Sequence, residues 1–122
     1  MQPKRKGGGV LFYVPIKYRV IRRNDLVTDP SLEALWLEID EKLFSVIYGP
    51  QKNKLKFLDS VSSSIEMALM ETKPIFVLGD LNINLLDEKK AETSKLKSIV
   101  SGYTLYHLAL DWSEWAHNHC VG

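Results

Sequence analysis

The chain has a single cysteine in 122 residues, Cys120, two positions from its last residue. One thiol has no intrachain disulfide partner and supplies too few sulfur ligands for a structural zinc site, so no disulfide framework holds this protein. A reducing, intracellular compartment fits that usage. Long apolar runs are missing as well, and none reaches the roughly 20 residues of a membrane-spanning helix. A signal peptide is poorly matched: Lys4-Arg5-Lys6 precedes an apolar stretch over residues 9–16, but Pro15 and Lys17 close it and no small-residue cleavage site follows. Acidic residues are absent from the first 24 positions, which carry seven basic groups, Lys4, Arg5, Lys6, Lys17, Arg19, Arg22 and Arg23. The remainder has nine basic and fifteen acidic groups, so +7 and −6 combine to a net charge of +1. Such a basic segment either faces a nucleic acid or is a solvated strand and terminus. Lys4-Arg5-Lys6 also leaves a nuclear location open. Internal repeats, linkers and low-complexity segments are absent.

What is present reads as one domain or a part of one. The composition, 45% hydrophobic, 25% charged and 10% aromatic, is that of an ordinary globular protein, and the length allows a core of moderate size. Gly7-Gly8-Gly9 leads into an expected strand over 10–14, and it is not a phosphate loop because no Lys-Ser/Thr and helix follow it. Residues 17–23 alternate as a half-exposed edge strand would. Thr28-Asp29-Pro30-Ser31 is a turn cluster. Over 33–39, Leu35, Leu37 and Ile39 share one strand face and Ala34, Trp36 and Glu38 the other, with Glu38 expected as a solvent-facing charge. Residues 43–48 follow a short polar break, so the two segments predict an antiparallel hairpin.

Asn53 is the expected cap of a helix running to about residue 69. Its apolar face would carry Leu55, Leu58, Val61, Ile65 and Leu69. Ser62-Ser63-Ser64 weakens that helix intrinsically, so packing must hold it. A buried strand over 74–79 follows. A second helix over 92–101 turns Leu96, Ile99 and Val100 inward, with Gly102 as a left-handed stop. Residues 103–110 read as a short strand or an extension, and 111–122 show no clear period. The order predicts an α/β (α+β) chain of mixed layers.

The chemistry concentrates in residues 73–86. The apolar run Ile75-Phe76-Val77-Leu78 stops at Gly79-Asp80-Leu81-Asn82. Asp80 thus emerges at the carboxyl end of a strand, the end where ligands bind in open α/β sheets. A carboxylate there can hold a hard cation or orient water, and the Asn82 amide offers both a donor and an acceptor. From spacing alone, the commoner reading is an Asx-type turn between Asp80 and Asn82. Tyr48 stands at a second strand exit, before Gly49-Pro50. His117 and His119 beside Cys120 have a metal-like spacing, for which an unstructured tail is the favoured reading.

The succession GGGV-LFYV, SLEALWLEI, FSVIYGP, a helix and IFVLGDLNINLL resembles the endonuclease domain of non-LTR retrotransposons, within the endonuclease/exonuclease/phosphatase superfamily. The resemblance runs over about residues 7–107. It implies a partial four-layered α/β sandwich over 7–110, flanked by a basic tail at 1–6 and a divergent tail at 111–122. It further implies hydrolysis of phosphodiester bonds with a divalent metal, usually Mg²⁺, with DNA as partner and the rest of a retroelement polyprotein in the parent sequence. Asp80 then matches the aspartate that orients or activates the attacking water. Asn82 matches the asparagine that hydrogen-bonds the scissile phosphate, and Tyr48 the tyrosine whose hydroxyl points at the same phosphate.

Two elements of that pattern have no counterpart in this sequence: the metal-binding glutamate, which belongs before the glycine run, and the late aspartate–histidine pair. His107, His117 and His119 stand in the wrong context to replace the pair, and the resemblance gives Glu33 and Glu38 no role. The expectation is therefore a metal-dependent phosphodiesterase fragment that is catalytically incomplete alone. The alternatives are a non-catalytic remnant with weak nucleic-acid binding, and a phosphatase-like relative acting on a small phosphoester, since GDxN occurs across the superfamily. Tyr48, Asp80 and Asn82 are expected to meet at one edge of the sheets, and a sandwich without its first and last strands is expected to leave apolar faces and sheet edges uncovered.

Overall fold

The computed structural model of the chain describes residues 11–103 and residue 105. Strand β1 spans Val20–Arg22, β2 Glu33–Ile39, β3 Lys42–Tyr48 and β4 Ile75–Asp80. Helix α1 spans Lys54–Leu69 and α2 Ala91–Gly102, and a 3₁₀ turn covers Asn24–Leu26. The strands form one mixed sheet in the order β1-β2-β3-β4, antiparallel except for the parallel β3–β4 pair. The protein is a small mixed α+β domain. No helix among the described residues is long and apolar enough to cross a membrane.

The β2–β3 hairpin forms as its alternation predicts. Its loop is Asp40-Glu41, both with positive φ (53° and 63°), as a tight two-residue hairpin turn requires. That turn sets Ile39 opposite Lys42 and, six residues out, Glu33 opposite Tyr48. One sheet face carries Ala34, Trp36, Leu43, Ile47, Ile75 and Val77. Phe57, Leu58, Val61, Ile65 and Ala68 of α1, with Leu96 and Ile99 of α2, pack there to make the core. The serine run is accommodated by partners. The Trp36 indole N–H donates to the Ser64 hydroxyl at 2.8 Å, and Ser64 donates onward to the Leu26 carbonyl. Ser62 pairs with the Tyr103 hydroxyl at 2.9 Å.

Several expectations are corrected. Residues 11–14 carry no strand, and only Val20–Arg22 of the 17–23 segment does. Asn53 precedes α1, but its φ of 58° is left-handed and its side chain makes no capping bond. Leu55 points out of the α1 apolar face, at 44% exposure. Gly102 is the last residue of α2 and has no positive φ, and Tyr103 closes the helix through its backbone N–H to Ile99. Tyr103 and Leu105 lie in no strand. The β4 run is not fully buried: it is the edge strand among the described residues and leaves Phe76 and Leu78 exposed at 44% and 51%. Lys4-Arg5-Lys6, the three histidines, Cys120 and the 111–122 tail fall outside the described residues.

Glu38 departs furthest from expectation. It is buried, because alternation puts it on the helix-facing side, where Arg23 and Lys73 meet it at 2.8 and 3.0 Å. Arg23 also binds Asp25 at 2.9 Å and pairs with Glu71, and Lys73 reaches Glu71 at 3.3 Å. This network ties the 3₁₀ turn, β2 and the α1–β4 connection together. Lys73 holds the Glu38 carboxyl below its usual range, and Arg23 does the same to Glu71 and Asp25. Glu38 in turn raises the Lys73 ammonium.

The opposite sheet face is also apolar. Leu35, Val46 and Leu78 form one row across it, and Leu37, Phe44 and Phe76 the next. Phe44 stacks on Phe76 at 4.9 Å between centroids, and Phe12 meets Phe44 edge-on at 6.1 Å. No helix lies on this side among the described elements. Leu37 is buried here, whereas Phe76 and Leu78 are exposed on β4, which has no second neighbour among the described strands, and exposed apolar side chains on such an edge are a site of association.

Two outcomes are expected. Carboxylates with depressed folded pKa values stabilise above their unfolded pKa and lose that contribution as pH falls through the folded value. The raised Lys73 stabilises below its unfolded value and loses its contribution only as pH rises past the folded one. The unfolding midpoint should therefore stay level between about pH 5 and 9 and fall in acid. Glu38→Gln should lower the midpoint at neutral pH and flatten that acid limb, so an unaltered acid limb would show that the network does not set it. Second, the purified chain should bind a dye specific for exposed apolar surface, and Leu78→Ser should reduce the binding. A monomer with a sharp, reversible thermal transition and no dye binding would contradict this.

Candidate functional site

Tyr48, Asp80 and Asn82 meet at one end of the sheet. The parallel register sets Tyr48 beside Asp80 as Cα partners. Beyond both strands the two exits stay joined, since the Gly49 N–H donates to the Asp80 carbonyl at 2.7 Å. The Asn82 side-chain amide donates to the Gly49 carbonyl at 2.6 Å, and its backbone N–H donates to Asp80 Oδ1 at 2.9 Å. The Asx turn read from spacing is thus present. It leaves the second Asp80 oxygen, the second Asn82 amide proton and the amide oxygen turned to no partner among the described residues. The Tyr48 hydroxyl makes no hydrogen bond among those residues, and the side chain is 40% exposed.

Two glycines make this closeness sterically possible. At Gly79, φ is +125° and a Cβ would drive into the Ile47 carbonyl of the neighbouring strand. At Gly49 a Cβ would drive into the Leu81 carbonyl. Each strand therefore keeps one glycine where the other's backbone runs against it. Asn82 has φ of 56°, a left-handed value that asparagine tolerates better than most residues.

Three further residues belong to this neighbourhood. Glu33 completes a cross-strand row with Tyr48 and Asp80; counting outward from the tight 40–41 turn would have revealed it. Lys52 and Lys56 line a cleft of about 230 Å³ that also reaches Tyr48, Pro50, Asp29 and Glu33. Nothing in sequence periodicity points to the two lysines, because their relation to Tyr48 depends on how α1 leaves the sheet. Asp29 accepts hydrogen bonds from Ser60 and Ser31, which hold its carboxyl down at about 2. Its role is to fasten the 28–31 turn to α1. Of the basic segment, the described part around β1 lies elsewhere: β1 pairs with the Leu37–Ile39 end of β2, away from Tyr48 and Asp80.

The donor set decides what the site can hold. Neighbouring strands lie about 4.8 Å apart, so Glu33 and Asp80 are separated by roughly 10 Å with Tyr48 between them. No group of three His, Cys, Asp or Glu residues suited to a metal ion exists among the described residues. These residues do not by themselves compose a magnesium site. What they offer is an exposed carboxylate beside neutral hydrogen-bond donors. Compared with models of protein families, with curated proteins and with solved structures, the chain matches none.

Gly79→Ala should therefore cost about 3 kcal/mol or more, the range of forced backbone strain and steric overlap. Denaturant unfolding measures this, and a loss below about 1 kcal/mol would show that β3 and β4 are not so closely apposed.

Proposed function

We propose that Tyr48, Asp80 and Asn82 form the phosphodiester-binding part of a metal-dependent DNA endonuclease site of the retroelement type, carried on a partial four-layered α/β sandwich. The observation that supports it best is the parallel pairing of Tyr48 with Asp80, reinforced by the Asn82–Gly49 bond. The uncovered apolar face around Phe76 and Leu78 supports the sandwich, since a second sheet would bury it.

In this reading the Tyr48 hydroxyl and the remaining Asn82 amide proton donate to phosphate oxygens. Asp80 accepts a hydrogen bond from the attacking water and orients it. Donors fixed by the backbone need no rearrangement as negative charge develops. The relatives suggested by resemblance use Mg²⁺, and one exposed carboxylate is a weak hold for a cation that dehydrates reluctantly. No step is therefore routed through the metal. A DNA substrate implies an intracellular, nuclear site of action. One observation favours the runner-up, a non-catalytic remnant: Asp80 already spends an oxygen on the Asx turn.

Residues 1–122 alone should show no measurable nicking of supercoiled plasmid with Mg²⁺ or Mn²⁺. Loss of a single oxyanion-type donor costs a factor of about 10²–10³, and here several expected groups have no counterpart. Nicking that disappears in Asp80→Ala would overturn the incompleteness. Binding tests the site itself. A short DNA duplex should slow amide hydrogen exchange at 48–52 and 80–84, and unchanged exchange at both segments would overturn the phosphodiester reading.

A further inference from the structure

Between Glu41 and Asp59 every charged side chain is a lysine: Lys42, Lys52, Lys54 and Lys56. Lys42 lies at the far end of β3, opposite Ile39. The other three follow Tyr48-Gly49-Pro50 within eight residues. The nearest acid along α1, Asp59, is taken up by an ion pair with Lys95. None of Lys52, Lys54 and Lys56 forms an ion pair among the described residues. Lys52 and Lys56 line a cleft to which Tyr48 also contributes. Two carboxylates, Glu33 and Asp29, line the same cleft; Asp29 accepts hydrogen bonds from the Ser31 and Ser60 hydroxyls and also feels the charge of Lys56.

We infer that Lys52 and Lys56 hold the DNA backbone on one side of the Tyr48–Asp80 site, so that the strand runs from Asn82 and Tyr48 across the start of α1. The inference rests on the phosphodiester reading above and adds the direction in which the substrate lies. Ammonium groups on flexible stems suit successive phosphates because they neutralise charge without demanding a fixed geometry. Phosphate neutralisation supplies most sequence-independent affinity for DNA. The arrangement also assigns no backbone contact at this site to Arg19, which precedes β1, or to Arg22, its last residue, on the far edge of the sheet.

The test is fluorescence anisotropy of a labelled 20-base-pair duplex over a range of salt concentrations, with the 122-residue chain. The double variant K52Q/K56Q should weaken binding about tenfold at low salt and reduce the slope of log K against log salt by about 2, one for each phosphate no longer neutralised. R19Q/R22Q, at the distant edge, should stay within about twofold of wild type. Both variants change exposed positions, and circular dichroism confirms that each folds as the wild type does. Wild-type affinity and slope in K52Q/K56Q would overturn the lysine assignment and leave the phosphodiester reading standing, provided exchange at 48–52 and 80–84 still slows on DNA. Unchanged exchange at Tyr48 and Asn82 in the wild type would overturn that reading, and the lysine assignment with it.

Discussion

The parallel contact between β3 and β4 governs this molecule. Parallel strands cannot be joined by a tight turn, so the chain travels through α1 before returning. That crossover lays the helix against the sheet and builds the core from Val61, Ile65 and Leu58 on one side and Ile47 and Val77 on the other. Because the strands run the same way, both exits fall at one end, and the polar residues after each apolar run are delivered together. In an antiparallel pair Tyr48 would face the start of β4. Gly79 against Ile47 and Gly49 against Leu81 are the two places where a side chain would force the exits apart.

The two ends of the sheet do different work. At one, Arg23, Glu38, Glu71 and Lys73 satisfy one another in a half-buried charge network. Buried carboxylates must be paired, and breaking a pair leaves an uncompensated charge. At the other, Asp80, Tyr48 and Asn82 keep donors and acceptors turned outward. The Trp36–Ser64–Leu26 relay stiffens the layer between, with polar atoms matched inside the core. Ser45 is the exception, a fully buried hydroxyl with no partner among the described residues. The sheet is thus anchored at its Glu38 end and exposed at its Tyr48 end.

The hairpin is legible in the sequence from alternation and a polar break at 40–42, although its second strand begins one residue earlier than that reading, at Lys42, which sets the register. Both helices are legible from apolar spacing to within a residue or two at their ends. The meeting of Tyr48 with Asp80 is legible only as a consequence of both residues ending strands. The failures share a cause, which is that tertiary context decides them. Glu38 reads as a surface charge until Arg23 and Lys73 arrive from distant positions. Ile75-Phe76-Val77-Leu78 reads as a buried strand, although Phe76 and Leu78 stay exposed on its second face. Asn53 is a good cap by type, but its backbone is left-handed and its side chain makes no capping bond. The lysines of the cleft do not stand out, because a charge run on a helix is ordinarily a solvated face.

The central claim is that Tyr48 and Asn82 act on the same phosphate, and a double-mutant cycle addresses it directly. Affinity for a short duplex would be measured for wild type, Tyr48→Phe, Asn82→Ala and the double variant. Residues sharing one ligand group couple by about 0.5–3 kcal/mol, so the double variant should lose less than the two single variants combined. Effects that add within about 0.3 kcal/mol would place the two side chains on separate contacts and contradict the shared site.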